Sequence, residues 1–241
     1  MNARSLIEEA RHASRTLLNE IESKALLKEA GIPTVETFFA ESKEEAALIS
    51  KKLGFPVALK IVSPEITHKS DVGGVRLGLK TSKQVGATYD EMVSVVRQKY
   101  PQSKIDGVSV QKMARPGTEV IIGMTKDAQF GPVLMFGLGG ILVELLKDIS
   151  FRIVPLERKD AREMIRGIKG YRLLEGCRGR EPVDIVTLEE MLLKVSQFVD
   201  DNPEIKEIDL NPIFAYKDGA VAVDARVILE EALLLREDVG R

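Results

Sequence analysis

The 241-residue chain carries 35 lysines and arginines against 37 aspartates and glutamates, 44% hydrophobic residues and a single cysteine, Cys177. The near balance of charge excludes an overall field that would steer the protein to nucleic acid or an anionic membrane, so any anion site has to be local. One cysteine excludes an internal disulfide framework and a cysteine-rich zinc site and fits a reducing, cytoplasmic setting, and the most apolar stretch, Gly131 to Leu146, falls short of the roughly 20 residues that cross a bilayer.

The charged opening, Met1-Asn-Ala-Arg-Ser-Leu-Ile-Glu-Glu9, lacks the apolar centre of a signal peptide and reads as a mature cytosolic start. Ser5-x-x-Glu8 is a capping-box pattern ahead of apolar residues at helical spacing, and Asn19-x-x-Glu22 opens a second helix over 20–30, stopped by Gly31 and Pro33. A strand Thr34–Ala40 follows, then a helix from Ser42-x-x-Glu45 to Gly54, a strand Pro56–Val62, a polar loop holding His68, an alternating strand Val75–Leu79 and a helix from Ser82 to Lys99. This reads as one lobe, 1–106, made of N-terminal helices and a small α/β unit.

The polar segment Pro101 to Gly107 reads as the connection to a second lobe, 107–241. That lobe opens with Val108–Ala114 and Glu119–Met124 as a hairpin about Pro116-Gly117. Strands Pro132–Phe136 and Phe151–Leu156 come next, with helices over 158–167 and 187–201, the latter capped by Thr187-x-x-Glu190. Ile205–Tyr216, Asp218-Gly219 and Ala220–Val227 form a hairpin signal ahead of a short charged helix. Hairpin-paired strands with helices between them point to α+β lobes rather than a doubly wound parallel sheet.

Two constellations carry chemistry. Lys60 sits in the apolar strand Val57-Ala-Leu-Lys-Ile-Val62, which anchors an ammonium where it can neutralise nucleotide phosphates without reorganising. The loop that follows holds His68, one of two histidines, and a neutral imidazole can carry a phosphoryl group as a nucleophile. A solvated edge lysine and a surface histidine would give the same letters. In Glu207-Ile-Asp209-Leu-Asn211-Pro212, Asp209 and Asn211 share one face of a strand. A hairpin centred on Asp218-Gly219 pairs Ile213 with Asp224 and sets Asp224 diagonal to Asn211, and such oxygen-only ligands suit magnesium shared with nucleotide phosphates. Ordinary solvent-face acids of a hairpin fit the pattern equally well.

Other segments are less specific. Gln111, Lys112 and Met113 can offer backbone N–H and C=O to an adenine edge and Glu119 can accept from ribose hydroxyls, or the segment is only a hairpin. Phe136-Gly-Leu-Gly-Gly140 brings backbone amides to an anion or makes a tight turn. Glu144 and Asp148 line that site or face water, and Arg152 in its strand takes an anionic partner or a surface position. His12 reads as a surface residue, and Cys177 has no base near it in sequence.

Taken in order, Lys24-Ala-Leu-Leu with Gly31-Ile-Pro33, the Lys60 strand, Glu65-Ile-Thr-His68-Lys-Ser-Asp-Val-Gly-Gly-Val75, Gly137-Leu-Gly-Gly140, Phe151-Arg-Ile-Val-Pro155 and Glu207-Ile-Asp-Leu-Asn211-Pro212 resemble the ATP-grasp fold. Within it they resemble the beta subunit of ADP-forming acyl-CoA synthetases of the acetate–CoA ligase type, relatives of succinyl-CoA synthetase. The likeness spans nearly the whole chain. It implies an α+β ATP-grasp fold of two α/β lobes with nucleotide between them. It also implies that Lys24 and Lys60 contact nucleotide phosphates, that Gln111, Lys112 and Met113 form the adenine hinge, that Glu119 holds ribose, and that Asn211 and Asp224, assisted by Asp209, carry Mg2+. Many ATP-grasp proteins have glutamate where Gln111 stands.

By the same resemblance, His68 matches the beta-subunit histidine that receives phosphate from a phosphohistidine on the alpha subunit and passes it to ADP. The implied reaction is acyl-CoA + ADP + phosphate ⇌ carboxylate + ATP + CoA. The sequence has no glycine-rich dinucleotide fingerprint. CoA binding is therefore expected on a partner alpha subunit, which also carries the phosphohistidine domain, in an α2β2 assembly. Two rival readings remain: a stand-alone ATP-grasp carboxylate ligase acting through an acyl phosphate, and a non-catalytic nucleotide-sensing subunit.

Overall fold

The computed structural model describes residues 3–66, 69, 71–140, 147–177, 179 and 181–231. His68, Glu144 and residues 232–241, on which most of the short charged helix expected after Val227 falls, lie outside the described residues. Helix α1 spans Ala3–His12, so Ser5 sits inside its first turn instead of capping it. Helix α2 spans Glu20–Glu29 and has the expected cap: Asn19 Oδ1 accepts from the Ile21 and Glu22 amides at 2.9 Å, and Glu22 Oε2 accepts from the Asn19 amide at 2.8 Å. Two carboxylates in that first turn also suit the positive end of the helix dipole.

Strand β1 is Thr37–Ala40, α3 is Lys43–Leu53 capped by Ser42, β2 is Val57–Val62, β3 is Val75–Leu79, α4 is Ser82–Lys99 and β4 is Gly107–Lys112. These four strands form one antiparallel sheet in the order β1-β4-β2-β3. The expected hairpin about Pro116-Gly117 is therefore not made. Strand β4 pairs with β1 and β2, while β5, Thr118–Asp127, pairs with strands of a second sheet. The physical reason is burial. Gly107 to Gln111 are buried without a break, which calls for a central position in the smaller sheet, and local alternation does not say which strand a segment will pair with. The crossing between sheets thus lies at 113–117, beyond the expected boundary at 106/107.

The second sheet runs β10-β8-β5-β6-β7, with β9 also on β8. Its further strands are β6 (Gly131–Leu138), β7 (Ile149–Ile153), β8 (Ile205–Tyr216), β9 (Gly219–Ala222) and β10 (Arg226–Leu229). Helices α5 (Arg158–Gly167), α6 (Tyr171–Leu174) and α7 (Ile185–Asp201) accompany it. The cap of α7 is Asp184, whose Oδ1 accepts from the Thr187 amide at 3.1 Å, three residues ahead of the expected cap at Thr187. Val120, Ile122, Leu134, Phe136, Ile208 and Leu210 pack with α5 and α7 in one core. Ile7, Ala10, Leu26 and Leu27 join that same core, so the N-terminal helices lean on the large sheet and not, as expected, on the small lobe alone. Val57, Leu59, Ile61, Val108 and Val110 make the smaller core with α3 and α4. Among the described residues no helix is long and apolar enough to cross a membrane.

Candidate active site

Alternation along the small sheet decides which side chains meet. Leu59 and Ile61 turn to the helices, so Lys60 turns to the opposite face, and the register sets Ser109 opposite Lys60 and Gln111 opposite both Ala58 and Thr37. Helix α2 meets that face with Glu20 and Lys24, four residues apart and therefore on one side of the helix. Glu20 Oε1 accepts from Lys24 Nζ at 2.7 Å and from Lys60 Nζ at 2.6 Å. Ser109 Oγ approaches Glu20 Oε2 at 3.5 Å and Lys69 Nζ stands 3.9 Å from it. Lys24 also donates to Gln111 Oε1 at 2.8 Å and to Thr37 Oγ1 at 3.0 Å. Three acceptors use all three donors of that ammonium. Lys60 completes the chain with Asp224 Oδ2 at 3.2 Å.

Glu20, Lys24, Lys60, Ser109 and Gln111 are all buried, so these charges exist only because they satisfy one another. Burial works against the Glu20 carboxylate, yet Lys24, Lys60 and Lys69 outweigh it and hold the carboxyl down to about 2. Burial pushes Lys24 down to about 8, although Glu20 pulls the other way. For Lys60, burial is overcome by Glu20 and Asp224, and the ammonium titrates above the ordinary lysine value.

The acidic hairpin differs in register from the expected one. Tyr216 pairs with Gly219 and Ile213 with Ala222, so the loop is Lys217-Asp218 and Asp224 falls in the bend between β9 and β10. The slip is of two residues, which preserves the face. Opposite Val120 to Ile122 of β5, strand β8 is irregular at Asn211-Pro212, which leaves Asn211 exposed. Asp209, opposite Gly123 and Arg226, lies on the sheet face away from the helices. Burial raises the Asp209 carboxyl; Arg226 opposes this, and Glu207 and Asp224 add to it. Burial and then Glu20 raise Asp224. Among the described residues no group of three or more His, Cys, Asp or Glu side chains is gathered to hold a metal. The available donors are thus two carboxylates that repel each other and one amide.

Several expected residues stand apart from this cluster. The Lys112 and Met113 amides donate to Glu36 O and Pro56 O, both at 3.2 Å, so neither N–H is available to an adenine edge. Glu119 lies against Gly139 and Gly140, and its carbonyl accepts from the Gly139 amide at 2.7 Å. Asp148 accepts from the Lys169 and Gly170 amides at 2.7 and 2.6 Å and braces the entry to α6. Arg152 pairs with Glu163 at 3.3 Å on the surface, so it has a protein partner without a phosphate. Sequence reasoning missed Glu20, Lys69, Thr37 and Ser109. The signal for Glu20 was its spacing, one turn ahead of Lys24 at the capped start of α2.

The ATP-grasp domain family matches the chain over residues 9–229. The chain is similar to the acetate–CoA ligase (ADP-forming) I subunit beta of Pyrococcus furiosus, 49% identical over 227 residues that cover 94% of this chain and 97% of that protein. It is also similar to the solved Ca. Korarchaeum cryptofilum dinucleotide-forming acetyl-coenzyme A synthetase 1 in complex with coenzyme A, Ca-AMPCP and HgCl+. That match has a TM-score of 0.93 and 46% identity and covers 95% of this chain and 100% of that one. A structure of the same synthetase with coenzyme A, acetyl-coenzyme A and a phosphorylated phosphohistidine segment matches with a TM-score of 0.90 and 44% identity, covering 95% and 100% of the two chains.

Proposed function

The chain belongs to the ATP-grasp family, among the beta subunits of ADP-forming acetate–CoA ligases, and from that membership we propose that it passes a phosphoryl group through His68 to ADP. The phosphoryl donor is a phosphohistidine of a partner alpha subunit, and the overall reaction releases a carboxylate and CoA and makes ATP. The observation that carries this reading is Lys60, a buried ammonium between the two sheets. It is held at 2.6 Å by Glu20 and paired at 3.2 Å with Asp224.

Lys60 is the proposed phosphate ligand. It uses Glu20 and Asp224 as acceptors, which among the described residues leaves its third N–H for a phosphate oxygen. Because the strand fixes its stem, it meets charge on the transferring group with little reorganisation. Lys24, saturated by Glu20, Thr37 and Gln111, is read instead as a strut that ties α2 to the small sheet. Asp209 and Asp224 fit a divalent cation because both are carboxylate donors still partly open to solvent, and each gains from a positive charge beside it; Asn211 adds a neutral oxygen. Magnesium, when bound there, would supply positive charge to the nucleotide phosphates. The Gln111–Met113 segment and Glu119 remain the proposed surroundings of adenine and ribose, with the hinge acting through groups other than its two engaged amides.

At His68 the transfer conserves bonds. A P–N bond forms on this imidazole as the one on the partner's phosphohistidine breaks, and the P–N bond on His68 then breaks as the terminal oxygen of ADP takes the phosphoryl group. An α2β2 assembly in the cytoplasm is the proposed setting, supported by the family likeness and by the single cysteine. The test is ATP formation from acetyl-CoA, ADP and phosphate by this chain combined with an alpha subunit. His68→Ala is expected to abolish ATP formation together with acid-labile, alkali-stable label from γ-labelled ATP. ATP formation undiminished in His68→Ala would refute the relay.

A further inference from the structure

We propose that Glu20 is a positioning residue of the nucleotide site: its carboxylate gathers the ammonium groups of Lys24, Lys60 and Lys69 and aims Lys60 at the phosphates. This rests on the reading of Lys60 as the phosphate ligand.

The geometry exceeds what a helix ion pair needs. An i,i+4 pair with Lys24 would account for one contact, but the same oxygen, Oε1, also takes Lys60 at 2.6 Å from the small sheet, and Oε2 meets Ser109 at 3.5 Å and Lys69 at 3.9 Å. Helix α2, which supplies Glu20, is packed into the core of the large sheet through Leu26 and Leu27. The carboxylate therefore ties the small-sheet lysine to the frame that also carries Asp224. Lys24 is immobilised by its three acceptors and so fixes Oε1 in turn.

The charge arrangement gives the contact a second consequence. Three ammonium groups face two carboxylates, Glu20 and Asp224, so the cluster keeps one positive charge in excess for an anion; neutralising Glu20 would raise that excess, so weaker ADP binding in such a variant reports lost positioning and not lost positive charge. Without Glu20, the remaining ionic partner of Lys60 among the described residues is Asp224. Lys60 would then depend on the proposed cation ligand alone, and a cation taking over Asp224 would strip Lys60 of that one ionic partner; with Glu20 present, Lys60 stays anchored when the cation binds. Glu20 thus holds Lys60 in place without engaging the groups that the cation needs.

The test is calorimetric titration of the purified chain with ADP, with and without magnesium, alongside thermal unfolding. Glu20→Gln is expected to weaken ADP binding about tenfold, the scale of one lost charge-assisted hydrogen bond, and to raise the magnesium concentration needed for half-maximal binding. Should that variant fail to fold, Glu20→Gln with Lys24→Met removes the buried pair together, which proteins tolerate better than one orphaned charge. The double variant, compared with Lys24→Met alone, is expected to show the same losses. Binding within about twofold of the reference, or weaker binding with an unmoved magnesium midpoint and a lower unfolding temperature, would assign Glu20 a purely structural role and overturn the proposal. Lys60→Met separates the two ideas. If it binds ADP as the wild type does, the reading of Lys60 fails and the proposal with it. If it loses ADP while the Glu20 variants keep it, only the proposal fails.

Discussion

Lys60 Nζ stands 3.2 Å from Asp224 Oδ2, so the proposed phosphate ligand and the proposed cation ligand satisfy each other across the gap between the two sheets. Each half of the pair stands in for what the other half would bind: the ammonium for a cation at Asp224, the carboxylate for a phosphate at Lys60. Nucleotide and cation together can replace the pair without leaving either charge alone. Phosphate alone, drawing Lys60 toward it, would leave Asp224 without its ammonium, and a cation alone would leave Lys60 to Glu20, so joint binding is favoured over separate binding.

Asp224→Asn tests that exchange. With the cation ligand gone, ADP binding in the presence of magnesium is expected to weaken about tenfold, the scale of one lost interaction with a charged group. Binding in the presence of a chelator is expected to hold or tighten, because Lys60 has lost a competing carboxylate. Calorimetry in the two conditions checks this, and equal losses in both would mean that Asp224 acts through the fold and not through the cation.

The buried pair sets two pH windows for stability. The Glu20 carboxyl is held at about 2 against an ordinary 4.5, so its stabilisation is complete above pH 4.5 and is lost as pH falls through the folded value. Lys24 has the opposite sense, with a folded value of about 8 against an ordinary 10.5. The unfolded chain binds more protons between those values, so the contribution of Lys24 to stability rises with pH across that window, by an amount on the order of 3 kcal/mol. Urea unfolding across pH 8 to 10.5 is expected to lose this rise in Lys24→Met.

How much of this was legible in the sequence follows from the range of each interaction. The capping box at Asn19, the helix stop at Gly54 and the apolar strand around Lys60 are written within a few residues, and the structure has each of them. The resemblance carried the fold and the order of its parts. What local patterns do not encode is pairing at a distance. Strand β4 looked like half of a hairpin with β5, and only its unbroken burial between β1 and β2 explains its place. Asp218-Gly219 looked like the turn centre, yet Gly219 already pairs with Tyr216. Glu20 was hidden for the same reason: its i,i+4 spacing announces Lys24, but its contact with Lys60 spans 40 residues of sequence.

The crossing between the sheets is pinned at Gly117. The Arg115 guanidinium lies 4.2 Å from the Tyr216 ring centroid, the Tyr216 hydroxyl donates to Arg115 O at 2.7 Å, and Arg115 also pairs with Asp218. A Cβ at Gly117 would stand 2.6 Å from the Tyr216 ring and 2.9 Å from Ala215 O. Gly117→Ala is therefore expected to push the crossing off this platform at a cost of about 1–3 kcal/mol, typical of a forced overlap. Thermal or urea unfolding measures it. An unchanged midpoint would mean that the crossing is free to shift.

Lys24 and Lys60 have equal standing in the family resemblance, but their surroundings separate them. Lys24 spends its three donors on Glu20, Thr37 and Gln111, and none remains for a phosphate. Lys60 donates to Glu20, and its other ionic contact among the described residues, Asp224, is one that a cation can take over. Lys60→Met is accordingly expected to weaken ADP binding on the order of tenfold to a hundredfold, the range for losing hydrogen bonds to a charged group. In Lys24→Met, Glu20 keeps Lys60 as its partner, and ADP binding is expected to change by no more than about threefold, while the alkaline stability profile changes as described above. Calorimetry of the two variants side by side decides the assignment, and comparable losses in both would show that Lys24 leaves Glu20, Thr37 or Gln111 to meet the nucleotide directly.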